Sequence, residues 1–216
     1  MKHDFKIIII LVSLFLVAQF IGLSIISILS GKELAFGIQR PEMNKDTSFI
    51  SLFIIIIIVT IIALIIAHFN AIRLWKIWFF ISLVLVLTIS LSAFFNQYIS
   101  FMIAIVGTYF KVVKHNIIIH NISELFIYGG LAALFVPVFS ILSISLLLLL
   151  IAVYDIIAVW KTKHMIQLAK FQSKLKLFSG LLIPYEKNKT AILGGGDIGF
   201  PLLFSGVIIQ EVGYIG

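Results

Sequence analysis

Apolar runs of membrane length follow one another along almost the whole chain, and the short stretches between them hold most of its charged residues. A helix rises 1.5 Å per residue, so about 20 apolar residues cross a hydrocarbon core of roughly 30 Å. That ruler gives seven spans: Ile7 to Leu29; Phe49 to Ala67, with consecutive isoleucines from Ile54 to Ile58; Ile77 to Phe95; Tyr98 to Val113; Ile117 or Asn121 to Val138; Ser140 to Trp160; and Ala191 to the C-terminus. The expected fold is an all-α, polytopic transmembrane bundle. A hydrophobic content of 62% with 12% charged residues excludes an ordinary soluble domain. The first run is longer than a signal-peptide core and lacks an A-x-A-like exit, so it reads as a membrane helix. The fourth span is short, and its Lys111 is expected to snorkel to the interface. A tight connection at Val138-Phe139 predicts that the fifth and sixth spans are antiparallel neighbours.

The net charge of +7 sits in loops and not on a basic face interleaved with aromatics, which argues against nucleic acid and for membrane orientation. Thirteen Lys and Arg residues fall on the N-terminal side of the seven spans (Lys2, Lys6, Arg73, Lys76, Lys111, Lys114 and the seven lysines from Lys161 to Lys189), against Lys32, Arg40 and Lys45 on the other. The N-terminus and the 161–190 loop are therefore expected to be cytoplasmic. The chain divides into a six-helix part (1–160), a basic loop (161–190) and a final helix (191–216). In the loop, Leu175, Leu177, Phe178, Leu181 and Leu182 among lysines read either as a surface-lying amphipathic stretch or as a solvated linker drawn to anionic headgroups.

The absence of cysteine removes disulfides, thiolate nucleophiles and Cys-based metal centres. His115 and His120, five apart, do not align well on one helical face and read as loop or interfacial residues, as does His164; no metal and no cofactor is expected. Of nine acidic residues, Asp4, Glu33, Glu42, Asp46 and Glu186 lie in loops or termini, while Glu124 and Glu211 can reach an interface. Asp155 and Asp197 are deeper. Each is six residues from a cytoplasmic helix edge, Lys161 for one and Ala191 for the other, or about 9 Å inside it. Intramembrane carboxylates are costly and mark function. Two within hydrogen-bond reach share a proton and titrate as a unit, so that one can activate water while the other polarises a carbonyl.

Asp197 follows Gly194, Gly195 and Gly196, which permit unusual dihedrals and close approach of another backbone. An extended peptide can pair beside such a stretch. The alternative is that Asp197 only caps a helix that tolerates Pro201. The stretch is no nucleotide loop, because G-x-G-x-x-G spacing after a strand is missing.

Tyr154-Asp155 in one span, then Gly194-x-Gly196-Asp197 and Phe200-Pro201 in the next, resembles the GxGD intramembrane aspartyl proteases of the presenilin and signal peptide peptidase group, archaeal members above all. Val153 to Met165 is similar to their sixth helix, and Asn121 to Pro137, with Glu124 and Tyr128-Gly129-Gly130, to their fifth. The resemblance implies Asp155 and Asp197 as the catalytic pair, Tyr154, Gly194, Gly195, Gly196 and Pro201 as residues shaping the active site, and transmembrane or signal-peptide-like helices in a lipid bilayer as substrates. It also implies nine helices, six and then three, of which about seven are present here. The family's Pro-Ala-Leu motif in the ninth helix has no counterpart, since Pro201-Leu202 belongs to the seventh span. The chain is accordingly expected to be a fragment, a truncated product or a diverged member, with little or no proteolysis on its own in the first two cases. Other readings are a prepilin peptidase, which also uses a GxGD motif, a proton- or cation-coupled transporter using the same carboxylates, and a scaffold packed through Gly129, Gly130, Ala132 and Ala133.

Overall fold

A computed structural model describes residues 5–161, 164–175, 177–186 and 189–213. Its α-helices are α1 (Phe5–Leu29), α2 (Ser48–His68), α3 (Ile72–Leu91), α4 (Gln97–Val112), α5 (Ile117–Phe135), α6 (Ile141–Ile156), α7 (His164–Leu175) and α8 (Gly195–Val212). Strands β1 (Gly180–Glu186) and β2 (Lys189–Gly194) form an antiparallel hairpin leading directly into α8. Among the described residues, five helical segments are long and apolar enough to cross a membrane, α4 being a shorter apolar helix.

The starts of α4, α5 and α6 are set by Asn96, Asn116 and Ser140, whose side chains accept hydrogen bonds from free first-turn N–H groups. The centre of the bundle is α5, packed against α1 on one side and α3 on the other. Adjacent glycines make this possible. A Cβ on Gly129 would lie 2.5 Å from Ile25 Cδ1, and one on Gly130 would lie 2.4 Å from the Val86 carbonyl oxygen. By contrast α2 is apolar all round and presents many of its isoleucines outward, as a lipid-facing helix does.

Four expectations change. Helix α3 begins at Ile72, taking in Arg73 and Lys76, and ends at Leu91; a helix continues through its charged interfacial turn, where an apolar ruler stops. α6 packs against α2 and α8 and makes little contact with α5, because α8 occupies the space between them. The final helix starts at Gly195, with Ala191 to Gly194 extended, as suits a strand running into three poor helix formers. The 161–190 region is neither a linker nor a surface-lying stretch in its described part. Leu175 and Leu177 are buried in a cluster with Trp75, whose ring Phe171 meets edge-on at 5.3 Å; Leu181 is fully buried, and Phe178 and Leu182 are half-buried.

Candidate active site

Asp155 lies in the last turn of α6 and Asp197 in the first turn of α8. The two helices run antiparallel and touch. At their far end, the N–H of Ile141 donates to Glu211 Oε2 at 3.3 Å. From Ile141 to Asp155, and from Asp197 to Glu211, is the same fourteen residues, or about 21 Å of helix. Helices tied at one end thus bring both aspartates to one level at the other. There the carboxylates are exposed and within electrostatic reach of each other. Since Asp197 is only the third residue of α8, a depth counted from Ala191 does not apply to it; antiparallel pairing with α6 sets the level instead.

The glycines occupy tight ground. The Asp197 carboxylate turns back over the helix start, where free N–H groups favour negative charge, and its Oδ2 would be 3.2 Å from a Cβ on Gly194. A Cβ on Gly195 would meet the Tyr128 hydroxyl at 2.7 Å, and the N–H of Gly195 donates to the Ser179 carbonyl at 3.1 Å. Gly196 is backed by Phe200, the nearest ring atom 3.4 Å from a Cβ built there. Pro201 has no N–H, so the carbonyl of Asp197 receives no i+4 bond within α8, while Gln19 Nε2 donates to the next carbonyl, that of Ile198, at 3.0 Å. Tyr154 is half-buried, its ring edge-on to Phe53 of α2 at 6.2 Å. Beside this stretch lies a cavity of about 310 Å³ lined by Glu124, Tyr128, Leu131, Gly199, Phe200 and Leu203 among others.

A second group of polar residues supports the hairpin. Lys111 does not snorkel: it is buried and ion-paired with Glu124, which is also buried. Tyr128 donates its hydroxyl to the other Glu124 oxygen, and the N–H of Gly180 donates to that same oxygen at 3.0 Å. His120, expected at an interface, is buried, its Nε2 2.8 Å from the Gly180 carbonyl oxygen. Asn121 spans Leu182, donating to its carbonyl at 2.8 Å and accepting from its N–H at 2.9 Å. The sequence did carry a signal for this group, opposite charges in consecutive apolar spans on either side of one turn. Among the described residues no cluster of His, Asp and Glu could hold a metal.

Fold and site together define a polytopic helical membrane protein with an aspartate pair between two adjacent helices. The family model described as "Signal-peptide peptidase, presenilin aspartyl protease" matches residues 7–209. The chain belongs to the signal peptide peptidase and presenilin family. A solved structure of a presenilin family intramembrane aspartate protease is similar in fold, with a TM-score of 0.62 at 19% identity over 91% of this chain and 74% of that one. No curated protein matches.

Proposed function

We propose that the chain carries the catalytic centre of an intramembrane aspartyl protease, Asp155 and Asp197 together hydrolysing peptide bonds of transmembrane or signal-peptide-like helices. The observation that carries this reading is the position of two accessible carboxylates at one level of adjacent antiparallel helices. With one proton shared, the ionised carboxylate takes a proton from water as the water oxygen adds to the scissile carbonyl carbon, and the protonated partner passes its proton to the carbonyl oxygen. Collapse of the resulting gem-diol breaks the C–N bond as the carboxyl that took the water proton protonates the leaving nitrogen and the other carboxylate takes back a hydroxyl proton, which restores the shared-proton pair. Only water is consumed.

The hairpin offers a place for an unwound substrate. Residues 180 and 182 turn their backbone groups toward α5, so the antiparallel register turns those of their partners, Gly194 and Ile192, to the outer side of β2. Among the described residues no further strand pairs there. An extended peptide added at that edge would run toward Asp197, with Tyr154, Gly194, Gly195, Gly196 and Pro201 shaping the space around the cut. The excess of Lys and Arg supports a cytoplasmic N-terminus and 161–190 region, which puts the pair toward the cytoplasmic side.

The test is incubation of the purified protein in lipid vesicles with a labelled transmembrane peptide. Cleavage lost in both Asp155→Ala and Asp197→Ala supports the reading. Normal cleavage by either variant refutes the pair, and ion flux lost in both variants without any cleavage points to a coupled transporter.

A further inference from the structure

The polar group around α5 hydrogen-bonds Gly180 and Leu182 of β1, and β1 pairs with β2, the strand that leads into α8 and Asp197. Gly180 is held on both of its backbone groups, its N–H by Glu124 and its carbonyl by His120. It stands directly opposite Gly194, with φ +140°, and a Cβ there would lie 2.3 Å from the Leu193 carbonyl oxygen and 3.2 Å from Gly194 Cα. Gly194 is the N-cap of α8, three residues before Asp197. A continuous chain of contacts therefore runs from Lys111 through Glu124, Gly180 and Gly194 to the catalytic-site helix. Each Glu124 oxygen is engaged, one by Lys111 and the other by Tyr128 and Gly180. A buried ion pair is a costly way to gain stability but a specific way to fix a register.

We propose that Glu124, held by Lys111, is a positioning residue that anchors Gly180 and so sets where Asp197 stands against Asp155. The inference rests on the protease reading for its kinetic consequence, but its geometry can be tested without activity. The chain has no cysteine, so Asp155→Cys with Asp197→Cys gives a single thiol pair, and the rate at which a short bis-maleimide links it reports the spacing.

Glu124→Leu removes the acceptor for Gly180, and cross-linking should slow by about tenfold or more, with amide exchange over residues 179–184 accelerating by a similar factor. Asn121→Ala, a milder change outside the ion pair, should move both readouts in the same direction, which keeps the test valid where Glu124→Leu fails to fold. The double variant Lys111→Met with Glu124→Gln keeps an acceptor oxygen for Gly180 without the buried charges, and should restore both readouts to near the parent values. In the unmodified site, Glu124→Leu should lower kcat by about 10²-fold with KM changed less than about twofold. Unchanged cross-linking and exchange in Glu124→Leu or Asn121→Ala would overturn the inference. So would altered exchange with unchanged cross-linking, or altered geometry with unaltered kcat. Normal cleavage by Asp155→Ala or Asp197→Ala, with cross-linking still dependent on Glu124, would refute the protease reading alone.

Discussion

Replacing Gly195 by alanine tests whether the glycine stretch serves the fold or the site. The new methyl would sit 2.7 Å from the Tyr128 hydroxyl oxygen, 3.2 Å from Tyr128 Cε1 and 3.3 Å from the Ser179 carbonyl oxygen. Tyr128 cannot swing away freely, because its hydroxyl is bonded to the buried Glu124. Overpacking of this kind costs about 1–3 kcal/mol, offset by up to about 1 kcal/mol from replacing glycine in a helix. Thermal stability should therefore fall, by at most about 3 kcal/mol. If relief comes from displacing the start of α8 by a fraction of an ångström, Asp197 moves with it, and kcat should fall by about 10- to 100-fold. Gly199→Ala is the matched control. Its methyl would make an ordinary 3.5 Å contact with Tyr128 Cδ1 beside the 310 Å³ cavity, so stability should hold or rise and kcat should stay at the parent value. Melting curves and cleavage of a labelled transmembrane peptide in vesicles read both effects. Parental kcat in Gly195→Ala, or an equal loss in Gly199→Ala, would refute the steric argument.

Lys111→Met alone should destabilise strongly, by about 3–5 kcal/mol, because it strands the buried Glu124 carboxylate; chemical denaturation measures this. Arg40→Ala should lower stability by about 2–3 kcal/mol in the same assay and leave the cleavage position unchanged, since Arg40 donates to the carbonyls of Leu29, Lys32 and Ala133 far along the chain from the aspartates. Ser143→Ala should cost about 0.6 kcal/mol by removing the 2.8 Å bond to Ser48 that joins α2 and α6. Cleavage assayed with a chelator should proceed at the untreated rate, because a paired-carboxylate reaction needs only water.

The bundle was readable in sequence because the ruler is physical: backbone groups in lipid must be satisfied within the helix, and apolar runs of sufficient length mark where that happens. The same ruler misplaced α3, because Arg73 and Lys76 belong to the helix though not to its apolar part. The insertion of α8 between α5 and α6 was not readable, since short connections predict contact only in the absence of a better-fitting neighbour. Asp155 and Asp197 stood out as charges at membrane depth. The hairpin did not, because Thr190 to Leu193 resembles the start of any apolar run, and its anchoring by Glu124, His120 and Asn121 depends on residues some sixty positions away.

The central claim is that Asp155 and Asp197 act as one site. A peptide in which the scissile bond is replaced by an uncleavable hydroxyl-bearing carbon mimics the tetrahedral intermediate and should bind far more tightly than substrate, through both carboxylates at once. Photo-crosslinking of such a peptide to the protein in vesicles should be competed by substrate and lost in Asp155→Ala and in Asp197→Ala, while Gly199→Ala is labelled normally. Undiminished labelling of either aspartate variant would contradict the account.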